Sequence, residues 1–459
     1  MAGKRLIFQL GTNNWQRNGE FAPGSGILHE AHHNAFNLLP ETESYSIYPS
    51  KTQRFEEERV RVFALDHDIP ICESISPVSS YRWHGMSEPE VAAYRDRLTR
   101  EVGDWMAEIE HRTGEEFQLA IAHHTFLNPL VMRDVIRARV QAGRNPIPLI
   151  CFAHGTALKM YAAEKRRDNP DEFPYRFLPM IQDEGVFDFG NPKGSVDMVA
   201  AISTDQVDAF LDVFPQYPKE RLHLSPNGFN HAVFYPRTEP TRSIAERLKP
   251  IADYETKPYE GSRQAPRKIG ADYDHIVAFC GKFADWKRLD VLLKAAAIYE
   301  PLLPNVATVI VGSGPHEDQV KMQDLALEDL SLENTLFLGP RGQDELAHIF
   351  SAADIGCFPS KNEPFGLVFI ECMACGTPVI GANSGGPKDF VTDSVGALFE
   401  ESVDKDALAL RLAELILAAV RQDWKTQKGP TAARYAKDGF SVNAQCERLL
   451  EAIDALPGA

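Results

Sequence analysis

Positive charge is what this sequence has too little of. Its 48 lysines and arginines face 65 aspartates and glutamates, a net charge of −17. A nucleic-acid binder needs the opposite balance. The same deficit argues against attachment to anionic lipid. Cysteine is scarce as well, with seven in 459 residues, and these are scattered rather than spaced as a disulfide framework. Cys151 and Cys280 fall in strand-like runs, which fits a reducing cytoplasm. Cys372 and Cys375 form a C-x-x-C inside an apolar helix pattern with no second pair, and read as buried thiols rather than a zinc or redox site. No apolar run is long enough to span a bilayer. "MAGKRLIFQLG" carries basic residues but lacks the apolar stretch of a signal peptide. These absences leave a cytoplasmic globular protein, and 44% apolar against 25% charged residues suits one.

What is present is alternation. At 459 residues the chain is too long for one ordinary core. Strand patterns at "RLIFQLG", "SYSIYP", "FQLAIAHH", "IPLICFAH", "MVAAIST" and "RLHLSPNG" alternate with helix patterns across the first half. Residues 236–274 hold five prolines and little periodicity, which reads as a linker with an irregular insertion. Alternation restarts at "HIVAFCGKF" and continues through "VATVIVGSG", "TLFLGP", "IGCFPS" and "TPVIGA". The expected class is therefore α/β, with two doubly wound domains: 1–235, which also takes a C-terminal helix from 437–459, and 275–436. Parallel sheets covered on both faces read this way. In such sheets ligands sit beyond the carboxyl ends of the strands, and a cleft between two domains is a natural site.

The stretch "NEPFGLVFIECMACGTPVI" (362–380) places two carboxylates oddly. Glu363 precedes Phe-Gly-Leu, and Glu371 falls within an apolar run, where an unpaired charge is costly. Lys361–Gly366 form the loop after strand "IGCFPS", and a helix begins at Leu367. A helix amino terminus is an anion site, and Gly366 permits close backbone approach. Glu371 lies roughly 7 Å along that helix axis, where it could accept hydrogen bonds from a ribose diol while the phosphates occupy the helix end. Glu363, on the other side of the phosphates, would face the attached sugar. Lys282 and Lys287, at the carboxyl end of "HIVAFC", could neutralise a leaving diphosphate.

The run "EPFGLVFIECMACGTPVIGANSGGP" resembles the signature of the retaining, family 4 type glycosyltransferases with the GT-B fold: Glu, seven residues, Glu, then Gly-x-Pro-Val and Ser-Gly-Gly. "GKFADWKRLDVLLKAA" resembles the family's phosphate-binding segment, with Lys282 where Arg is usual. "LSPNGFNHAVFYP" and "GFSVNAQCERLLEAI" resemble the closing segment of the first domain and the terminal helix that crosses back onto it. The resemblance covers most of 198–456. It implies that Glu371 holds the ribose, Lys282 and Lys287 the diphosphate, and Glu363 with the Phe365, Gly366 and Leu367 backbone the transferred sugar. "PGSGI" resembles the first-domain loop that closes over the phosphates, through Gly24, Ser25 and Gly26. His154 resembles the histidine near the anomeric carbon; a structural histidine is the alternative reading of the residue alone. "GGPKDF" leans toward the sucrose-phosphate synthase branch.

These readings imply transfer of a hexose from a nucleotide-diphosphate sugar to a soluble small-molecule, sugar or sugar-phosphate acceptor, with retained configuration. UDP is the expected nucleotide; GDP and ADP stay open. No cofactor or metal is expected, because lysines and a helix end supply the positive charge. Asp-x-Asp at 66–68, 272–274 and 404–406 reads as solvated loop, and His29, His32 and His33 share a helix face without a carboxylate or cysteine nearby. Arg133, Arg137, Arg139 and Arg144 make one helix basic, read as a solvated face rather than a membrane-docking one. A sugar-nucleotide epimerase and a catalytically inactive scaffold are the alternatives. The first would need acid–base groups at the sugar; the intact glutamates and lysines speak against the second.

Overall fold

The computed structural model describes residues 4–15, 24–54, 56–66, 86–165, 177–190, 194, 196–238, 243–262, 264–270, 272–303 and 305–456. Contacts divide the chain into two compact units. The first runs to Asn227 and resumes at Val442, and the second holds Gly228–Ser441. The first crossing thus lies eight residues before the expected boundary at 235. Residues 437–441 stay with the second unit, while the helix Val442–Asp454 belongs to the first.

The first unit is built on β1 (Arg5–Leu10), β2 (Thr42–Ser50), β3 (Glu56–Glu57), β4 (Val60–Ala64), β5 (Phe117–His123), β6 (Leu149–Ala153), β7 (Met198–Ala201) and β8 (Leu222–Leu224). They pair in the order β3-β4-β2-β1-β5-β6-β7-β8, parallel throughout except for the short β3–β4 pair. Strands buried on both faces must be apolar at consecutive positions, and β1 is buried from Leu6 to Leu10. Leu6, Phe8 and Leu10 face one core with Trp105 and Phe117. Ile7 faces the other, with Leu119, Ile121, Ile150 and Phe152. Val442, Cys446, Leu449 and Ile453 of the last helix close that second face, at the spacing of one helical stripe.

The second unit carries β9 (His275–Cys280), β10 (Val306–Val311), β11 (Thr335–Gly339), β12 (Ile355–Phe358), β13 (Val379–Ala382) and β14 (Gly396–Phe399), all parallel, in the order β11-β10-β9-β12-β13-β14. Each sheet reverses direction of growth once, between β1 and β5 and between β9 and β12. Such switch points leave a crevice at the carboxyl ends of the flanking strands.

Residues 236–274 are irregular as expected, but they are not a free tether. Leu248, Ile251 and Ile269 are buried. Arg247 is buried too, and its guanidinium donates to Ala352 O at 2.6 Å and to Asp354 Oδ1 at 2.7 Å. The basic helix is also corrected. Arg133 and Arg139 are buried rather than solvated. Arg133 pairs with Glu184 at 2.6 Å and with Asp134 at 2.9 Å, and Arg139 pairs with Glu110 at 2.5 Å. Those arginines brace the first unit and present no docking face. Among the described residues no helix is long and apolar enough to cross a membrane.

Candidate functional site

In the second unit the loops after β9 and β12 lie side by side at the switch point. After β9 the chain makes a tight turn over Asp285–Lys287, and Arg288 adopts a left-handed conformation at φ 53°. After β12 it reaches Gly366, whose φ of 97° starts the helix Leu367–Ala374. A β-carbon at Gly366 would stand 2.8 Å from the Phe369 ring, so both the conformation and the space call for glycine.

The question raised by the two glutamates has two different answers. Glu363 is buried and paired: its Oε2 accepts from Lys287 Nζ at 2.7 Å. Lys287 also lies 4.3 Å from the centre of the Trp286 ring. Glu371 has no such partner. Among the described residues its carboxylate makes no hydrogen bond or ion pair. Burial, with only limited solvent access, pushes its pKa up to about 7. An ionisable carboxylate kept in the second turn of a helix without a partner is poised to accept from a ligand.

Sequence reasoning missed what fastens these loops. Arg288 forks onto Glu401 at 2.6 and 3.1 Å. Ser384 Oγ donates to Glu401 Oε1 at 2.7 Å and accepts from the Asn362 amide at 3.1 Å. The Lys361 amide donates to Trp286 O at 2.7 Å. The Ser-Gly-Gly run belongs to this clamp. The Gly386 amide donates to Glu363 O at 2.7 Å, and a β-carbon at Gly385 would stand 2.2 Å from that same oxygen. Only glycines let β13's loop lie this close to the Glu363 backbone. Lys282 is partly buried at the end of β9, and Phe365 is buried against Phe390 with ring centres 5.2 Å apart. The second unit thus brings together Lys287, Glu363, Phe365, Gly366, Leu367 and Glu371 on adjoining strand ends.

The first unit's switch point is lined with histidines. Gly24, Ser25 and Gly26 do not form a loop. They are the first turn of the helix Gly24–Leu38, and Pro23 of "PGSGI" lies outside the described residues. Ser25 Oγ accepts from Asn13 Nδ2 at 2.6 Å. A β-carbon at Gly26 would stand 2.1 Å from Asn14 O. His29, His32 and His33 of this helix, with His123 and His124 at the end of β5, are all buried. Their rings lie near one another, but they are hydrogen-bonded to different partners. His29 Nδ1 accepts from Trp15 Nε1 at 3.0 Å, His32 Nε2 meets Gln445 Oε1 at 2.8 Å, and His33 Nδ1 meets Ser46 Oγ at 2.9 Å. His124 Nδ1 meets Thr12 Oγ1 at 2.7 Å. Among the described residues no three histidines, cysteines or carboxylates are arranged to hold a metal.

His154 follows β6 and alone in this cluster keeps partial solvent access. Its Nε2 meets His123 Nδ1 at 3.0 Å. Burial, and the other imidazoles around it, hold its pKa well below the ordinary histidine value, so the ring is neutral at physiological pH. Cys372 and Cys375 are buried free thiols. Burial pushes Cys375 up to about 12, which removes its nucleophilicity.

Glu371 makes the site's most direct prediction. Its raised pKa means that the folded state binds a proton that the unfolded state releases. Stability therefore falls as pH rises from about 4.5 to about 7 and stays lowered above that. Replacing Glu371 by Gln should stabilise the protein by about 1–3 kcal/mol at pH 8 and by almost nothing at pH 4.5. Urea unfolding at the two pH values checks this; equal changes at both would mean the carboxylate has a partner.

Residues 262–428 match the family described as Glycosyl transferases group 1. The chain is 43% identical over 164 residues to the D-inositol 3-phosphate glycosyltransferase of Mycolicibacterium gilvum, covering 34% of this chain and 36% of that one. It is 38% identical over 293 residues to the enzyme of the same name from Stackebrandtia nassauensis, covering 62% and 58%. The chain thus spans between about a third and three-fifths of the curated relatives it matches. Among solved structures, sucrose-phosphate synthase from Thermosynechococcus elongatus superposes with a TM-score of 0.62 at 18% identity, covering 98% of both chains. Anabaena HepE in complex with UDP and glucose gives 0.60 at 20% identity, covering 99% of this chain and 100% of that one. The fold is the GT-B architecture, and within it residues 262–428, a little over a third of the chain, are similar to the glycosyl transferases group 1 family.

Proposed function

We propose that the protein is a retaining glycosyltransferase that moves a hexose from a UDP-sugar to a small soluble acceptor bearing a phosphate, without a metal ion. The observation that carries this reading is the unpartnered Glu371 carboxylate on the helix that starts at Gly366. A nucleoside diphosphate satisfies both features, with phosphates at the helix end and ribose hydroxyls donating to Glu371. Lys287 and Lys282 are read as the cations that stabilise charge on the leaving diphosphate. Glu363, held by Lys287, is read with the Phe365–Leu367 backbone as a contact to the transferred sugar. His154 is read as a neutral partner of that sugar. Gly24, Ser25 and Gly26 retain their assignment to the phosphates, now as a helix's first turn, which exposes amides as a loop would. The phosphorylated acceptor is suggested by the relatives named D-inositol 3-phosphate glycosyltransferases.

In this mechanism the leaving phosphate oxygen takes the acceptor's proton on the face it departs from. Attack and departure share one face, and an α-linked donor gives an α-linked product. The test incubates the protein with a panel of nucleotide sugars, with and without inositol 3-phosphate or a sugar phosphate, and measures free nucleoside diphosphate. Acceptor-dependent release that survives EDTA, with an α linkage by proton NMR, is the expected result. Sugar inversion without release would mean an epimerase, binding alone a scaffold, and a β product would overturn the mechanism.

A further inference from the structure

One buried polar chain in the first unit ends at His154. Gln9, on β1, is fully buried. Its Nε2 donates to Ser44 Oγ at 2.6 Å, and its Oε1 lies 3.3 Å from His123 Nε2. His123 Nδ1 in turn lies 3.0 Å from His154 Nε2. The His123 and His154 rings are within 4° of parallel, with centres 5.3 Å apart. Each nitrogen can shorten that separation by no more than one ring radius, so a 3.0 Å contact requires the rings to meet edge to edge in a common plane. That is the geometry of a linear N–H···N bond.

A neutral imidazole has one donor and one acceptor nitrogen. Gln9 Oε1 can only accept, so His123 Nε2 carries the proton. His123 Nδ1 is then the acceptor, and the proton of the second bond sits on His154 Nε2. His154 Nδ1 is left as a bare lone pair, and it makes no other hydrogen bond among the described residues. Turning the Gln9 amide over would reverse every bond in the chain and put a proton on His154 Nδ1.

We propose that Gln9 is a positioning residue that sets the tautomer of His154 through His123, so that His154 offers an acceptor to a ligand hydroxyl. The ligand's identity as a sugar rests on the glycosyltransferase reading; the tautomer does not. The inference also says what His154 selects: a hydroxyl that donates, at a position where an ether, a deoxy or a fluoro sugar has nothing to give.

The test is long-range proton–nitrogen NMR on the full chain labelled with ¹⁵N-histidine, with His154→Gln used to assign the signal. The expected result is a neutral His154 protonated at Nε2. Gln9→Met removes the acceptor and should turn His154 into a tautomer mixture. It should also lower kcat roughly tenfold, the scale of lost outer partners of a functional imidazole, with little change in KM for the donor. Ser44→Ala, a gentler change, should produce a smaller shift of the same kind if Gln9→Met fails to fold. A His154 protonated at Nδ1, or a pattern unchanged in a folded variant of Gln9 or Ser44, overturns the proposal. A parent His154 protonated at Nε2 that shifts in the Gln9 variant, with no transferase activity in any assay, would sink the functional reading and leave the relay standing.

Discussion

Lys287→Ala should destabilise the protein by about 3–5 kcal/mol, far more than loss of a surface lysine. Lys287 and Glu363 are both largely buried, with side chains 14% and 9% exposed. Truncating the lysine leaves the carboxylate buried without its counter-charge, and that residual charge carries most of the penalty. The double variant Lys287→Met with Glu363→Gln removes both charges together and should recover most of the loss. Urea denaturation of the two singles and the double closes the cycle. A coupling energy near zero would mean that the pair is solvated in the folded state. The same variants separate structure from function. The double should fold yet fail to bind the diphosphate, whereas Glu371→Gln should fold better than the parent and bind the nucleoside diphosphate more weakly. A site that becomes more stable when its chemistry is removed is a site kept for a ligand.

The second large effect concerns acid. Burial holds His32 at about 4 and His124 at about 3. Burial together with neighbouring imidazoles holds His29, His123 and His154 well below the ordinary value. In each case the unfolded state binds protons that the folded state refuses. Their stability contribution is fully present above pH 6.5 and is lost as pH falls toward about 4. His32 alone can account for about 3 kcal/mol across that window. The rings are also near one another, His29 and His123 having centres 4.5 Å apart, so charging one opposes charging the next. Cooperative acid unfolding between about pH 6 and 4, with uptake of several protons, is the expected outcome of circular dichroism and potentiometric titration. His32→Gln should shallow the slope. A protein unchanged down to pH 4 would show that these rings are protonated and solvated in the folded state.

How much of this was legible in the sequence depends on the range of the interaction. β9, β10, β12 and β13 announced themselves, because a strand covered on both faces must be a short unbroken apolar run. Strands β4 and β14 did not. "VRVFA" interrupts its run with arginine, and only four residues of "GALF" pair. The helix Trp424–Phe440 also went unread, since Gly429, Pro430 and Gly439 break the local helix pattern, and tertiary packing overrides them. "PGSGI" was misread for a related reason. Two glycines look like a loop, yet Gly26 is there because Asn14 O packs against its α-carbon. At the site, the glycine turn, the helix start and both glutamates could be found from local pattern. Which glutamate was neutralised could not, because Lys287 and Glu363 are 76 positions apart. Nor could Arg288–Glu401, which are 113 apart, or the histidine relay, which joins β1, β2, β5 and the residue after β6.

The return of the chain's last helix to the first unit bears on the protein's birth. During synthesis β1, β5, β6 and β7 emerge early, but one face of their sheet is covered by Val442, Cys446, Leu449 and Ile453. The whole second unit must be synthesised before those side chains exist. For that interval Ile7, Leu119, Ile121, Ile150 and Phe152 form a sheet face without its complete cover, the kind of surface that chaperones hold and that aggregates when they do not. The second unit, whose described residues all lie between Gly228 and Ser441, has no such wait. The half made first is therefore the half finished last, and a ribosome stalled a few codons short of Val442 would release a chain with its later domain folded and its earlier one still open.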